Sequence, residues 1–558
     1  MTARRRIVGG CLSTLSVWFA LSATAASAAG ATTSTLPAAS SHRRPAASVV
    51  AASRATTIPG ASVAPVGTTT PVGTTTPVGT TTPVGTTGPV GPPPGTTVAP
   101  VTPTGPPPPA RKPPPAARIA GPPSPPLPPS FVGLSVETSL VTSWFPSGGC
   151  HSPVQQALAM LGRPEIRVGG NSQDRLWPTS PLPPGENQVA DSSYLHAIHC
   201  LGAIGSPVLV GLNLLGQDPT ATGRVLGEVA SLVPAKLLTI GLGNEPDQYG
   251  GRLPPPGGFA AYVALYNGMR DALRAGFGAP LPQIAGPDPS TSRWIAQTAN
   301  FIATEHPNVA DEHVYGLNGC HRTPGSPNYP SIRHLLAAGS STKLIAALDP
   351  VLVAARAAGI RAQISEANSV ACGGIAGISD GPASALWGLD LVATAAQAGF
   401  SHIELHNSGG SYDPLVLGPG GGLTFRPLWT AIYLADQLWP AGSYPLRLTG
   451  KLQAGLNGWV ARRPDGSLAV LLVNGNLTRS RRLVLATTAT TATVGRIVRA
   501  GPQAVKLDGR QLAWSDGAPV WKGTEHLESP TIKKDRLAVT LAPESAAWIV
   551  LGKGVLPT

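Results

Sequence analysis

Two glutamates in the 558-residue chain sit where a strand-like apolar run gives way to a turn. In Lys236–Tyr249, KLLTIGLGNEPDQY, the run Leu237–Leu242 has the make-up of a buried strand and stops at Gly243, Asn244, Glu245 and Pro246. Proline cannot extend a ladder and pushes the residue before it out of helical geometry. Glu245 is therefore expected to be fixed in an extended conformation at the strand's mouth. In Arg361–Gly374, RAQISEANSVACGG, Ala362–Ser365 forms a short strand, and Glu366 ends it before a glycine-rich loop. A positioned pair of carboxyl groups suits glycosidic-bond chemistry. One, kept protonated, gives its proton to the leaving oxygen, while the other, ionised, attacks or activates water.

The elements that must bring these two together follow from their spacing. They are 121 positions apart, about three strand-plus-helix units of roughly 40 residues, which fits a barrel whose functional groups gather at strand C-termini. Eight short apolar strands are expected at or near Phe131–Val136, Glu165–Val168, Pro207–Leu212, Leu237–Leu242, Gln283–Ala285, Glu312–Tyr315, Ala362–Ser365 and His402–His406. Helical patterns such as Val154–Leu161, Tyr262–Ala275 and Ser384–Ala398 lie between them. Strand and helix alternating over this length predict an α/β fold, a (β/α)8 TIM barrel over residues 130–440, with a doubly wound sheet as the fallback. From about Ala441 the helical period stops. Short alternating runs separated by Pro464-Asp465-Gly466 and Asp508-Gly509 predict an all-β sandwich over 441–558.

Ahead of the barrel, residues 1–29 show Arg4, Arg5 and Arg6, an apolar run and a small-residue exit, the layout of an export signal. Residues 30–129 are Pro-, Thr- and Ala-rich, with PVGTTT repeating from Pro65, Pro71, Pro77 and Pro83. Such a stretch has little to bury and is expected to be an extended spacer that could associate with a cell envelope. The protein is thus expected to be secreted or envelope-associated, a setting that permits disulfides. Among the four cysteines beyond the signal, Cys320 and Cys372 each follow neighbouring barrel strands and are expected to pair, leaving Cys150 with Cys200. The formal charge of +12 invites a polyanionic sugar or an anionic surface, although several of these cations lie in the signal and the arm. No Lys/Arg stripe interleaved with aromatics speaks for nucleic acid.

GLGNEPDQY, with ISEANS and ASALWGLD downstream, resembles glycoside hydrolase family 79, the β-glucuronidase and heparanase family. FVGLSVE at Phe131, RVGGNSQD at Arg167 and the tail SAAWIVL are similar to it as well, so the resemblance runs from about Phe131 to the C-terminus. It implies a retaining hydrolase of glucuronides or acidic polysaccharides, with Glu245 as general acid/base and Glu366 as nucleophile. It further implies that Asn244 holds the sugar 2-hydroxyl and that Tyr315 hydrogen-bonds the nucleophile. His313, two residues back on the same strand, faces the same way. Gly373, through its N–H, and Tyr412, through its hydroxyl, would hold the uronate carboxylate. The chain departs from the family pattern at Ala371, where an aromatic hydroxyl is expected. That departure keeps open a related enzyme acting on neutral pentosides, a xylosidase or arabinofuranosidase, beside a weakly catalytic carbohydrate-binding protein of the envelope.

Other matches carry less. Gly377-Ile-Ser-Asp-Gly381 has a nucleophile-elbow spacing but follows a loop. His196, His199 and Cys200 fall on one helix with no second ligand cluster, so no metal is expected. Gly241-Leu-Gly243 lacks the third glycine of a dinucleotide site, and no cofactor is expected. Asn476-Leu477-Thr478 is a glycosylation sequon only in a host that makes that modification.

Overall fold

The computed structural model describes residues 116–552 apart from 122, 123, 147 and 279. The expected export signal and the repeat-bearing part of the arm lie outside the described residues.

Eight parallel strands close into a barrel: Val132–Glu137, Ile166–Gly169, Val208–Leu212, Leu238–Leu242, Gln283–Pro287, Val309–Leu317, Arg361–Val370 and His402–Asn407. Each pairs with the next in sequence, and the eighth pairs with the first, Ile403 opposite Val132. Alternation within the strands sorts the two faces. In the first strand Leu134 and Val136 are fully buried among apolar side chains, whereas Ser135 and Glu137 hydrogen-bond to polar partners contributed by other strands and loops. Helices such as Gly258–Gly276 and Ser292–Glu305 cover the outside through Tyr262, Tyr266, Phe301 and Trp294. The fully buried Phe301 side chain contributes about 1.5–3 kcal/mol.

The C-terminal part is a seven-stranded antiparallel sheet faced by the two-stranded layer Arg481–Ala486 and Arg536–Leu541. Leu483, Leu485, Leu537, Val539 and Leu541 from that layer pack on Val470, Leu472, Val494, Ile549 and Leu551. Between barrel and sheet runs the helix Pro382–Ala398, buried on nearly every side, as its uniformly apolar sequence requires. Its one acid, Asp390, accepts a hydrogen bond from Asn457 of the sheet at 3.0 Å.

The expected spacer does not extend to residue 129. Arg118–Ala120 forms the edge strand of the seven-stranded sheet, pairing with Tyr444–Thr449, and Ala117 bridges to Leu485. The chain therefore enters the sandwich before it builds the barrel. A short Ala-Arg-Ile-Ala segment suffices as an edge strand because only one of its sides needs partners.

Candidate active site

Glu366 belongs to the seventh barrel strand, but it does not end that strand as expected. Pairing runs on from Arg361 to Val370, interrupted by a bulge: Ile364 faces Glu312, Glu366 faces His313, and Ser365 is the extra residue between them. A bulge re-aims the following side chain. The amide it frees, Ser365 N–H, donates to the buried Asp311 at 3.1 Å. Beyond the bulge, Asn368 keeps a polar stretch in the barrel by donating to the carbonyls of His406 and Tyr412.

Both oxygens of Glu366 are engaged. Oε1 accepts from the Tyr315 hydroxyl at 2.5 Å and Oε2 from Arg167 at 2.8 Å, with His406 3.7 Å away. Arg167 is wholly buried on the second strand, and it also donates to Asn244 at 2.8 Å and Ser135 at 3.1 Å. Burial alone would push the Glu366 carboxyl up. His406, His313 and Arg167, together with the Tyr315 hydroxyl, overcome that and hold it well below the usual carboxylate range. Burial and the neighbouring carboxylate push Tyr315 far up, so its hydroxyl stays a donor.

Glu245 stands on a different footing. It is not extended: its φ of 43° and ψ of 58° place it in the left-handed region. Proline excludes the right-handed helical basin for the preceding residue but leaves this one open, and the chain must reverse at once into the turn Pro246–Gln248. The strain, of order 1–3 kcal/mol, is held by anchors on either side. Asp174 accepts from the Asn244 amide at 2.9 Å and from the Tyr249 hydroxyl at 2.7 Å. At Gly243 (φ +85°) a Cβ would lie 2.5 Å from that hydroxyl. The Glu245 carboxylate, 15% exposed, meets His313 Nδ1 at 3.2 Å.

An oxygen of Glu245, a ring nitrogen of His313 and an oxygen of Glu366 all lie within 4.8 Å of one another. Such a trio could ligate a cation in principle, but both oxygens of Glu366 already accept from Tyr315 and Arg167, and the guanidinium beside them repels a second cation. Beneath it lies a second acidic layer. Asp288 approaches Arg167 at 3.5 Å and His313 Nε2 at 4.0 Å, and burial, then Asp311, push its carboxyl far up. Burial lowers the proton affinity of His313, but Glu366, Glu245 and Asp288 more than restore it.

Around the trio, Tyr412 is 3% exposed, its ring 6.1 Å from that of Tyr315 and 5.9 Å from that of His406. Gly373 lies on the adjoining loop, where its carbonyl accepts from Ser411 N–H at 2.6 Å; no protein acceptor meets its own N–H among the described residues. Ala371 precedes it, half-buried and without a hydroxyl. Cys320 and Cys372 are bonded, tying the ends of the strands that carry Tyr315 and Glu366, and Cys150 is bonded to Cys200. On the open side, Glu137, Asn171, Ser172, Arg175, Gln188 and Ser408 line a cavity of about 310 Å³. Of the lesser motifs, Gly243 lies in the turn that holds Glu245, and Ser379 packs beside Gly374 on the loop after Glu366. Ser379 accepts from Ile375 N–H, and His196 lies beside the disulfide-bonded Cys200.

Arg167, His406, Glu137, Asp174 and Asp288 were not singled out from the sequence as site residues. A signal for two of them was present. An arginine inside the apolar run Ile166–Gly169 cannot be buried without a carboxylate partner. Glu404 and His406, at period two in HIELHN, mark the interior face of the eighth strand.

No protein-family model matches the chain, and no curated protein sequence does. Solved structures do. A 4-O-α-L-rhamnosyl-β-D-glucuronidase from Fusarium oxysporum 12S, in complex with Rha-GlcA, aligns over 78% of this chain and 100% of its own at 20% identity and a TM-score of 0.64. A family 51 arabinofuranosidase from Xanthomonas axonopodis pv. citri covers 78% and 99% at 12% identity and 0.57. A family 51 α-L-arabinofuranosidase from Bifidobacterium longum covers the same shares at 14% and 0.57. At these identities the likeness is one of fold: a closed eight-stranded parallel barrel with an attached antiparallel sheet, the architecture of these glycosidases.

Proposed function

We propose that the chain is a secreted retaining glycoside hydrolase that cleaves β-linked glucuronides or a uronic-acid-containing polysaccharide. The observation that carries this is that an oxygen of Glu245 and an oxygen of Glu366 lie within 4.8 Å of each other, with Glu366 clamped by Arg167 and Tyr315. Retaining pairs stand about 5–5.5 Å apart and inverting pairs about 6.5–9.5 Å. The separation here falls on the retaining side of these two ranges.

In the first step an oxygen of Glu366 bonds to the anomeric carbon as the glycosidic C–O bond breaks, and Glu245 gives its proton to the departing alcohol. In the second, Glu245 takes a proton from water, the water oxygen bonds to the anomeric carbon, and Glu366 leaves as a carboxylate. Asn244, its side-chain oxygen held by Arg167, has an amide N–H₂ to offer the 2-hydroxyl. His313 contacts Glu245 and can steady its proton through the exchange of roles. Gly373 N–H and the Tyr412 hydroxyl are the donors available to a uronate carboxylate.

Ala371 favours a second reading, a neutral pentoside as substrate, because the site lacks one donor for a charged group. A panel of chromogenic aryl glycosides separates them. Turnover of the β-glucuronide that vanishes in Glu366→Gln supports the first reading, and turnover of a xyloside or arabinofuranoside alone replaces it with the second. Polysaccharide binding without any turnover would leave a carbohydrate-binding protein of the envelope. Export and envelope association rest on the layout of residues 1–129. The two disulfides accord with export. Cell fractionation tests that part.

A further inference from the structure

The charge of +12 is unevenly spread. Residues 130–440 hold 15 Lys and Arg against 21 Asp and Glu, whereas residues 441–558 hold 16 against 7. The barrel is acidic and the sandwich basic. Neutralisation within the sandwich is uneven too. Arg496, Arg499 and Arg510 each meet a glutamate, Glu528, Glu544 and Glu525 respectively. The two-stranded layer Arg481–Ala486 and Arg536–Leu541 and its flanking turns have no such partners. Lys451, Arg479, Arg482, Lys533, Lys534 and Arg536 are all exposed, and no ion pair reaches them among the described residues. Asp535 is the one acid set among them.

The register places these cations. Arg482 lies opposite Thr540 and Arg536 opposite Ala486, so the two arginines stand at opposite ends of the layer, roughly 13 Å apart along the strands. Lys451 belongs to the Arg482 end, where the Arg482 N–H donates to Gln453 at 2.9 Å. Lys533 bridges to Arg536 at the other end. Between the ends the outward positions carry the exposed Ala538 and Thr540 and the half-buried Val484 and Ala486. The inward leucines anchor the layer on the sandwich core, which holds the face in place.

We infer that this face binds an acidic polysaccharide and keeps the substrate polymer on the enzyme; the polymer's identity as the substrate rests on the glycosidase reading above. Guanidinium groups pair bidentately with carboxylate and sulfate. Cations at separated ends suit a chain with charges at intervals better than one small anion, and contacts too weak singly add up along a polymer. A lipid surface is the poorer fit: Leu477 is exposed in the turn before Arg479, but the outward strand positions between the cations hold no aromatic or long apolar side chain to insert.

The test uses the full chain and immobilised polygalacturonate, a poly-uronate, over a range of salt concentrations. In R479E/R482E/R536E the affinity is expected to fall at least tenfold and its salt dependence to flatten, while Tm and turnover of a small aryl glycoside stay as in the wild type. R479Q/R482Q/R536Q, which adds no repulsion, is expected to lose affinity in the same direction by less, and it serves should the charge reversal fail to fold. Unchanged polymer affinity in the glutamine variant overturns the inference. So does loss of binding only to phosphatidylglycerol vesicles. A wild type that binds the polymer through these residues yet hydrolyses no glycoside would sink the proposed activity and leave the binding face standing.

Discussion

Glu366 and Glu245 approach within 4.8 Å of each other, yet the protein builds their surroundings from opposite materials. Glu366, 6% exposed, projects from a bulged strand inside the barrel and is enclosed by a guanidinium, two imidazoles and a phenol. Glu245, 15% exposed, sits on a strained turn at the rim and touches one histidine. The first environment stabilises a negative charge, which is what the proposed nucleophile needs. The second offers a single side-chain partner and more exposure. Two residues of one type can be given unlike surroundings, and it is burial and partners, not residue type, that fit a carboxyl to a task.

The comparison breaks most completely if the two carboxylates are removed in turn. Glu366→Ala is expected to abolish turnover of every aryl glycoside. Glu245→Ala should lose ~10²–10⁴-fold, and the loss should shrink for a dinitrophenyl leaving group, which departs without a proton. Steady-state rates across a leaving-group series check this, and equal loss for all leaving groups would contradict the roles.

Arg167→Met attacks only the Glu366 side. It leaves a buried carboxylate short of its cation, at a cost of about 3–5 kcal/mol in stability, measured by denaturant unfolding. Because the folded pKa of Glu366 lies below the unfolded value near 4.3, its contribution to stability is present above that pH and is lost as pH falls through the folded value. With the guanidinium gone, the acid limb of kcat/KM should move to higher pH.

Asp174→Asn tests the Glu245 side. It weakens the hold on the Asn244 amide and is expected to lower kcat by roughly tenfold, since small misplacements near the reacting atoms are costly. Burial pushes Asp174 up to about 6, so the group favours the fold below its unfolded value and that advantage is lost as pH rises through about 6. The asparagine variant should show a flatter Tm profile between pH 4 and 6. Ala371→Tyr is the mildest change. Adding a hydroxyl beside Gly373 should raise the preference for a glucuronide over a pentoside by about tenfold, the size of one hydrogen bond to a charged group.

The barrel was legible in the chain because its strands are apolar runs separated by helical periods, and both key glutamates follow such runs. What stayed hidden needed three dimensions. Ser365 reads as the end of a strand because nothing local announces that Asp311, distant in sequence, will accept its freed amide and let the ladder continue. Glu245 reads as extended because a rule about proline speaks only to the basin it forbids. Arg118–Ala120 disappears into Pro-rich surroundings, since an edge strand draws its stability from the partner sheet and carries little signature of its own. Arg167 and His406 were visible as charges in apolar strands, but their partners were not.

The most direct test of the account is to trap the enzyme with 2-deoxy-2-fluoroglucuronosyl fluoride and map the labelled peptide by mass spectrometry. The account predicts a single glycosyl ester on Glu366, in the peptide spanning the bulge, and none in Glu366→Gln. A label on Glu245 or on any other carboxylate, or turnover of an aryl glucuronide by a protein that the reagent never modifies, would contradict it.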